Sequence, residues 1–145
     1  VEIASAQAEA AGAPRTPFAH ADEKSANGHL RVLSPASPWT MNSAYGNDPG
    51  IRKKLGEATV TIHPDDATSR GLAEGDHILL RNHEGEIPMS LRLDATIPRG
   101  VALAPKGRWP RFSAGANINA LYDGAHADIG ESTCVHGVEA ELVKA

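Results

Sequence analysis

Alternation of apolar and polar positions begins at Leu30 and recurs in short bursts to the end of the chain. "LRVLS" from Leu30 is the first burst. "ATVTI" at Ala58 to Ile62 is β-branched and alternating, the pattern of a half-buried strand. "HILLRN" from His77 and "IPMSLRL" ending at Leu93 predict two more strands, with "NHEGE" as the hairpin loop between them. "VALAP" from Val101 and "VEAELV" ending at Val143 complete a set of six. One short helix is predicted in "HPDDATSRG". Pro64 suits its first position, Asp65 and Asp66 act there as capping and dipole residues, and Gly71 stops it. "EGD" at 74–76 and "TIPRG" with Pro98 and Gly100 read as tight turns. Six short strands without a repeated strand-helix crossover predict a mainly β barrel or sandwich rather than a doubly wound sheet.

Residues 1–29 have a different texture. They are rich in Ala, carry Pro14 and Pro17, and show little apolar periodicity. A short strand is predicted at Val1 to Ile3. Ser5 then caps a helical turn through "AQAEAA" that stops at Gly12. Pro14 to Gly28 reads as linker. The expected division is therefore a lead-in segment at 1–29 and one domain at 30–145.

An internal repeat lies across the strand pattern. "PASPWTMNSAYGN" from Pro35 and "PKGRWPRFSAGAN" from Pro105 both follow P-x3-W-x3-S-A-x2-N, and both tryptophans fall on the same position of it. Each copy follows a short apolar run and precedes another strand. Two similar halves related by a pseudo-twofold axis would produce this, with the two segments as equivalent loops.

Composition narrows the function classes. The chain has 145 residues, 41% hydrophobic and 22% charged, enough for one domain with a real core. A formal charge of -4 without a Lys/Arg block argues against binding a nucleic acid backbone. No apolar run approaches the roughly 20 residues of a membrane helix, so no membrane insertion is expected. The single cysteine, Cys134, excludes an internal disulfide and a cysteine-built cluster, and reads as a buried small apolar residue. It fits a reducing compartment, so the expected location is the cytoplasm, with the periplasm as the alternative.

Familiar chemistries find no support. The seven histidines, at 20, 29, 63, 77, 83, 126 and 136, never pair at helical spacing, and His126 with Asp128 is a poor metal site alone. Ser43 and Ser113 lack the G-x-S-x-G setting of a nucleophile elbow. What remains is polar and neutral: Asn42, Ser43, Asn47, Asn117 and Asn119, beside Trp39, Met41 and Trp109. Amides and hydroxyls both donate and accept, which suits a heteroatom-rich ligand such as a pterin or purine. Backbone N–H groups of "KGRW" and "SAGAN" suit a pyrophosphate. The same residue types also fill ordinary loops.

From Leu30 onward the chain resembles the C-terminal molybdopterin-dinucleotide-binding domain of the molybdenum/tungsten bis-pterin oxidoreductases, the dimethyl sulfoxide reductase family. The resemblance is carried by "LRVLSP…MNSAYGN", "ATVTIHPDDATSRGLAEGDHILLRN", "GEIPMSLRLDATIPRGVALAPKGRW", "GANINAL" and "DIGESTCVHGVEAELV". These appear in the family's order over roughly four-fifths of the chain. "HPDDATSRGLAEGDHILLRN" is the most specific of them, and "VEIASAQAEAAG" resembles the segment leading into such a domain. Val1 then reads as a cut inside a longer polypeptide.

The resemblance implies a six-stranded double-psi β-barrel, aspartate-decarboxylase-like, with short helices in its connections. It implies cofactor contacts from Met41, Asn42 and Ser43 in the loop after the first strand, from Asn119 in "NAL" with Asn117 as neighbour, and from Lys106 and Gly107 in the turn after the fifth strand. The implied cofactor is bis-molybdopterin guanine dinucleotide carrying Mo or W in the full enzyme, with none held tightly by the isolated chain. The metal's protein ligand lies in another domain of this family, so no catalytic residue and no metal ligand is assigned here. The implied partners are upstream catalytic domains, and the chain alone is expected to be inactive. Formate, nitrate and sulfoxides all stay open as substrates. Two other readings fit the same pattern: a separate small subunit of a formylmethanofuran-dehydrogenase-like complex, and a protein-binding double-psi module. A pyruvoyl-dependent decarboxylase of related fold would need a Gly-Ser pair, which the chain lacks.

Overall fold

The computed structural model describes residues 6–12, 28–126, 132–133 and 135–145. The strand expected at Val1 to Ile3, the Ser5 cap, Asp128, Cys134 and nearly all of the predicted linker lie outside them. Six strands carry the fold: β1 (Leu30–Leu33), β2 (Thr59–Ile62), β3 (His77–Arg81), β4 (Glu86–Leu93), β5 (Val101–Leu103) and β6 (Glu139–Lys144). Helices α1 (Ala6–Ala10), α2 (Pro49–Leu55) and α3 (Pro64–Ser69) are short, and 3-10 turns occur at Pro110–Phe112 and Ile118–Leu121.

The strands close into a barrel in the order β1-β5-β2-β4-β3-β6, β6 pairing back onto β1. Two pairs are parallel, β1 with β5 and β2 with β4, and the others are antiparallel. The order is unchanged when β1, β2 and β3 are exchanged with β4, β5 and β6. In each half the first strand pairs in parallel with the second strand of the other half, which is the interlock of a double-psi barrel.

That symmetry corrects the reading of the repeat. The pseudo-twofold relates β1 to β4 and β5 to β2, whereas the repeated segments follow β1 and β5. They are therefore not equivalent loops of two halves. β1 and β5 are parallel neighbours whose register pairs Arg31 with Val101 and Leu33 with Leu103, the same spacing that separates the two copies. Both loops leave the same end of the barrel side by side. The ladder continues into them, since the Ala104 N–H donates to Leu33 O at 2.8 Å and the Lys106 N–H to Pro35 O at 3.0 Å.

Alternation places one face of every strand inside. Leu30, Val60, Ile62, Ile78, Leu80, Leu91, Ala102 and Ala140 are fully buried, and the small alanines at 102, 104 and 140 suit a narrow barrel. Pro88 sits in β4 ahead of the stretch that pairs with β2, where a missing N–H breaks no ladder on that side. Ser90 interrupts the pattern and is also buried; its hydroxyl donates to Glu57 Oε2 at 2.8 Å.

Helix α3 begins at Pro64 as predicted, but its cap differs. The acceptor is His63 Nδ1, which takes the Asp65 N–H at 3.0 Å. Asp66 points elsewhere: buried, it accepts the Gly100 N–H at 2.7 Å, and Arg70 approaches its carboxylate at 3.8 Å. It ties α3 to the turn that launches β5. Asp66→Ala strands a half-buried N–H and should cost about 1–2 kcal/mol in chemical denaturation. Asp66→Asn keeps an acceptor and should cost less; equal losses for the two would show that the Gly100 bond is not what matters.

Candidate cofactor-binding cleft

Helix α2 organises the first loop. Asp48 caps it, accepting the Ile51 N–H at 2.9 Å, Pro49 opens it, and Gly56 follows its end. This helix was not among the predicted elements. Three residues of the second loop, Trp109, Gly107 and Arg108, then bind the two loops together. The Trp109 indole N–H donates to Ser43 O at 2.6 Å. Its ring lies across Gly46, where a Cβ would come 2.7 Å from Cδ1. Gly107, at φ 97°, packs so closely on Asn42 O that a Cβ there would overlap it.

Arg108 is the third of these residues. Its guanidinium donates to Leu55 O and Gly56 O, both at 2.8 Å, and to Glu57 O at 2.6 Å. These carbonyls close α2, so a cation of the second loop caps the helix of the first. Partial burial pushes the guanidinium pKa below its ordinary value, while the Glu57 carboxylate works the other way. The cation persists because an arginine starts so far above neutral pH.

Between the loops and the 3-10 turn at Ile118–Leu121 lies an open cleft of about 410 Å³. Asn42, Ser43, Lys106, Gly107, Asn117 and Asn119 all line it. Chain positions from both loops therefore converge on one concave face. Met41 does not line it; the residue is 69% exposed and opens a tight turn in which the Ala44 N–H donates to Met41 O at 2.9 Å.

The six differ in what they have left to offer. The Asn117 amide is engaged within the fold: Oδ1 accepts the Asn119 N–H and Nδ2 donates to Arg108 O, each at 3.0 Å. It shapes the turn that presents Asn119. The side chains of Asn42, Ser43, Lys106 and Asn119 are exposed and have no partner among the described residues. At the cleft floor, buried Ser34 shares a 2.8 Å hydrogen bond with the Tyr122 hydroxyl, and its N–H points to His136 Nδ1 at 3.4 Å. Among the described residues no carboxylate lines the cleft, and Lys106 and Arg108 bring positive charge to it in a chain of net charge -4. Among the described residues no three His, Cys, Asp or Glu side chains gather to hold a metal, and no helix is long and apolar enough to cross a membrane.

Ser34, Arg108, Trp109 and Tyr122 were not singled out from sequence as cleft contacts in their present roles. The repeat did mark Trp109. Nothing local marks Arg108, because its partners lie more than fifty positions away.

Comparison with known proteins bears on this cleft. A Halobacterium salinarum protein named for the catalytic subunit of a dimethyl sulfoxide reductase is 27% identical over 128 residues, 88% of this chain and 15% of that protein. Biotin sulfoxide reductase of Cereibacter sphaeroides is 32% identical over 90 residues, 61% of this chain and 12% of that one. The chain thus spans under a sixth of the length of these relatives. Among solved structures, acetylene hydratase from Pelobacter acetylenicus superposes with a TM-score of 0.69 at 21% identity, covering 80% of this chain and 18% of that one, a likeness of fold. The family model described as the molydopterin dinucleotide binding domain matches residues 30–139, the whole barrel up to the start of β6, and the chain belongs to that family.

Proposed function

We propose that the cleft holds part of a molybdopterin guanine dinucleotide, and that the chain serves as one domain of a larger molybdenum- or tungsten-dependent oxidoreductase. The observation that carries this reading is the set of side chains, Asn42, Ser43, Lys106 and Asn119, that line one cleft with no partner and no carboxylate among the described residues. The residues fit such a group. Amides and a hydroxyl match the mixed donor and acceptor edges of a pterin or purine. Lys106 balances phosphate charge, and Gly107, where a Cβ would overlap Asn42 O, lets the two loops approach closely enough to share the ligand.

When bound, the cofactor supplies the redox chemistry at its metal. The chain's own work is to bind and orient. Asn42 and Ser43 approach from the first loop, Lys106 from the second, and Asn119 from the 3-10 turn. Because Arg108 and Trp109 fix both loops to each other, the groups are held in place before the ligand arrives, which lowers the ordering cost of binding. A metal ligand, a second dinucleotide and the substrate pocket belong in this reading to upstream catalytic domains, and the chain alone turns over no substrate.

Asn119→Ala, made in the full-length polypeptide that carries this chain, tests the assignment. It should weaken cofactor retention by about 0.5–1.5 kcal/mol, the value of one neutral hydrogen bond. The readout is pterin released per polypeptide after dialysis. Retention equal to wild type, with Lys106→Ala also silent, would sink the cleft as the binding face.

A further inference from the structure

A second cleft of about 190 Å³ opens on the far side of Arg108 and Trp109, between α2 and the 3-10 turn at Pro110–Phe112. We propose that it is a site for a small oxyanion of the phosphate class, held by Arg52 with support from Arg108 and Ser113. Such a site would exist whatever the larger cleft binds.

The charge distribution points to an anion. Two arginines, Arg52 and Arg108, line this cleft, and no carboxylate among the described residues does. Arg52 has no hydrogen-bond acceptor and no ion-pair partner among the described residues, and its Nε is buried with its hydrogen unused. A buried donor on a charged group left without an acceptor is costly, more so than for a neutral group. The Arg52 guanidinium lies 4.2 Å from the Phe112 ring centroid, and Arg111 lies 4.6 Å from the same ring. Stacking fixes the plane of Arg52 but satisfies none of its N–H groups. Two like charges thus share one ring with no counter-ion among the described residues.

The opposing influence is the carbonyl end of α2, which also borders the cleft and carries roughly half a negative charge. Arg108 already donates to the three carbonyls at Leu55, Gly56 and Glu57, so the repulsive groups are spoken for. Arg52 and Ser113 are then the cleft-lining residues whose side-chain donors have no acceptor among the described residues. A fork of parallel N–H groups matches a tetrahedral or planar oxyanion, and charge-assisted bonds of this kind are the strong ones. The cavity has ample room for such an ion.

Titration of the 145-residue chain with sodium phosphate at constant ionic strength, followed by amide and indole N–H resonances, tests this. Saturable shifts of the Trp109 indole and Ser113 amide are expected, with a midpoint on the order of 1 mM. Arg52→Gln should raise the midpoint by roughly tenfold, and Lys53→Gln, which removes the same charge outside the cleft, by about twofold at most. If Arg52→Gln loses its dispersed spectrum, Arg52→Lys and Ser113→Ala replace it, and each should raise the midpoint severalfold. A second arm uses GDP. Shifts with phosphate alone identify a free oxyanion, and shifts only with GDP identify a phosphate that is part of a larger ligand. Shifts with neither probe, shifts that never saturate, or equal effects of Arg52→Gln and Lys53→Gln would overturn the site.

Discussion

Gly107→Ala should destabilise the chain by about 2–6 kcal/mol, and the loss should fall on the loop junction rather than on the barrel. Two costs add. At φ 97° any L side chain is strained, by about 1–3 kcal/mol. The new Cβ would also overlap the Asn42 carbonyl oxygen and crowd Thr40 Oγ1, a buried hydroxyl that already lacks a partner. Overpacking of that kind adds about 1–3 kcal/mol. Gly100→Ala separates the two, because Gly100 has φ 80° and no atom near its absent Cβ. Urea unfolding of both variants should show Gly107→Ala the worse by the overpacking cost. Equal losses would mean that the first loop simply moves aside, and that the two loops are not held as one unit.

The barrel was legible from sequence because its signal is local. Leu30, Val32, Val60 and Ile62 alternate with polar or half-exposed neighbours, and a period of two specifies a strand wherever one face is buried. Helix α2 carried a readable signal too, in Asp48-Pro49 at its start and Gly56 after its end. It has no buried residue, so apolar periodicity, the stronger cue, was absent. The repeat was real as a pattern and misleading as topology. A period in sequence shows that two segments resemble each other; only strand order shows how they are related in space. Here they converge because β1 and β5 run in parallel, not because the halves are symmetric.

The lining of the cleft was legible only in part. Asn42, Ser43 and Asn119, expected through the family resemblance, line one cleft, although the symmetric reading of the repeat was not the cause. Asn117 looked equivalent to Asn119 by composition, yet an Asn two residues before a turn amide is a natural cap, and its Oδ1 is used that way. Asp66 looked like a dipole residue and instead reaches thirty-four positions along the chain to Gly100. Long-range hydrogen bonds leave no periodic trace, and it is these that set the shape of the cleft.

Arg108 is the strongest such case, and its removal should have the largest effect on the site outside Gly107. Three charge-assisted bonds end on the carbonyls of residues 55–57. Each such bond contributes about 1.5–3 kcal/mol when well shielded, but this guanidinium is only half-buried and water can replace part of the loss. Arg108→Ala should therefore cost on the order of 2–4 kcal/mol rather than the full sum. The carbonyl end of α2 would lose its cationic cap, and the helix, with seven residues and no buried side chain, has little else to hold it. Amide hydrogen exchange of residues 51–56 should accelerate while β3, β4 and β6 keep their protection. Arg108→Lys should recover the charge but not the three-way fork, and so restore stability only in part. If exchange in α2 is unchanged in Arg108→Ala, the loops are coupled through Trp109 and Gly46 alone, and the cleft is held from one side instead of two.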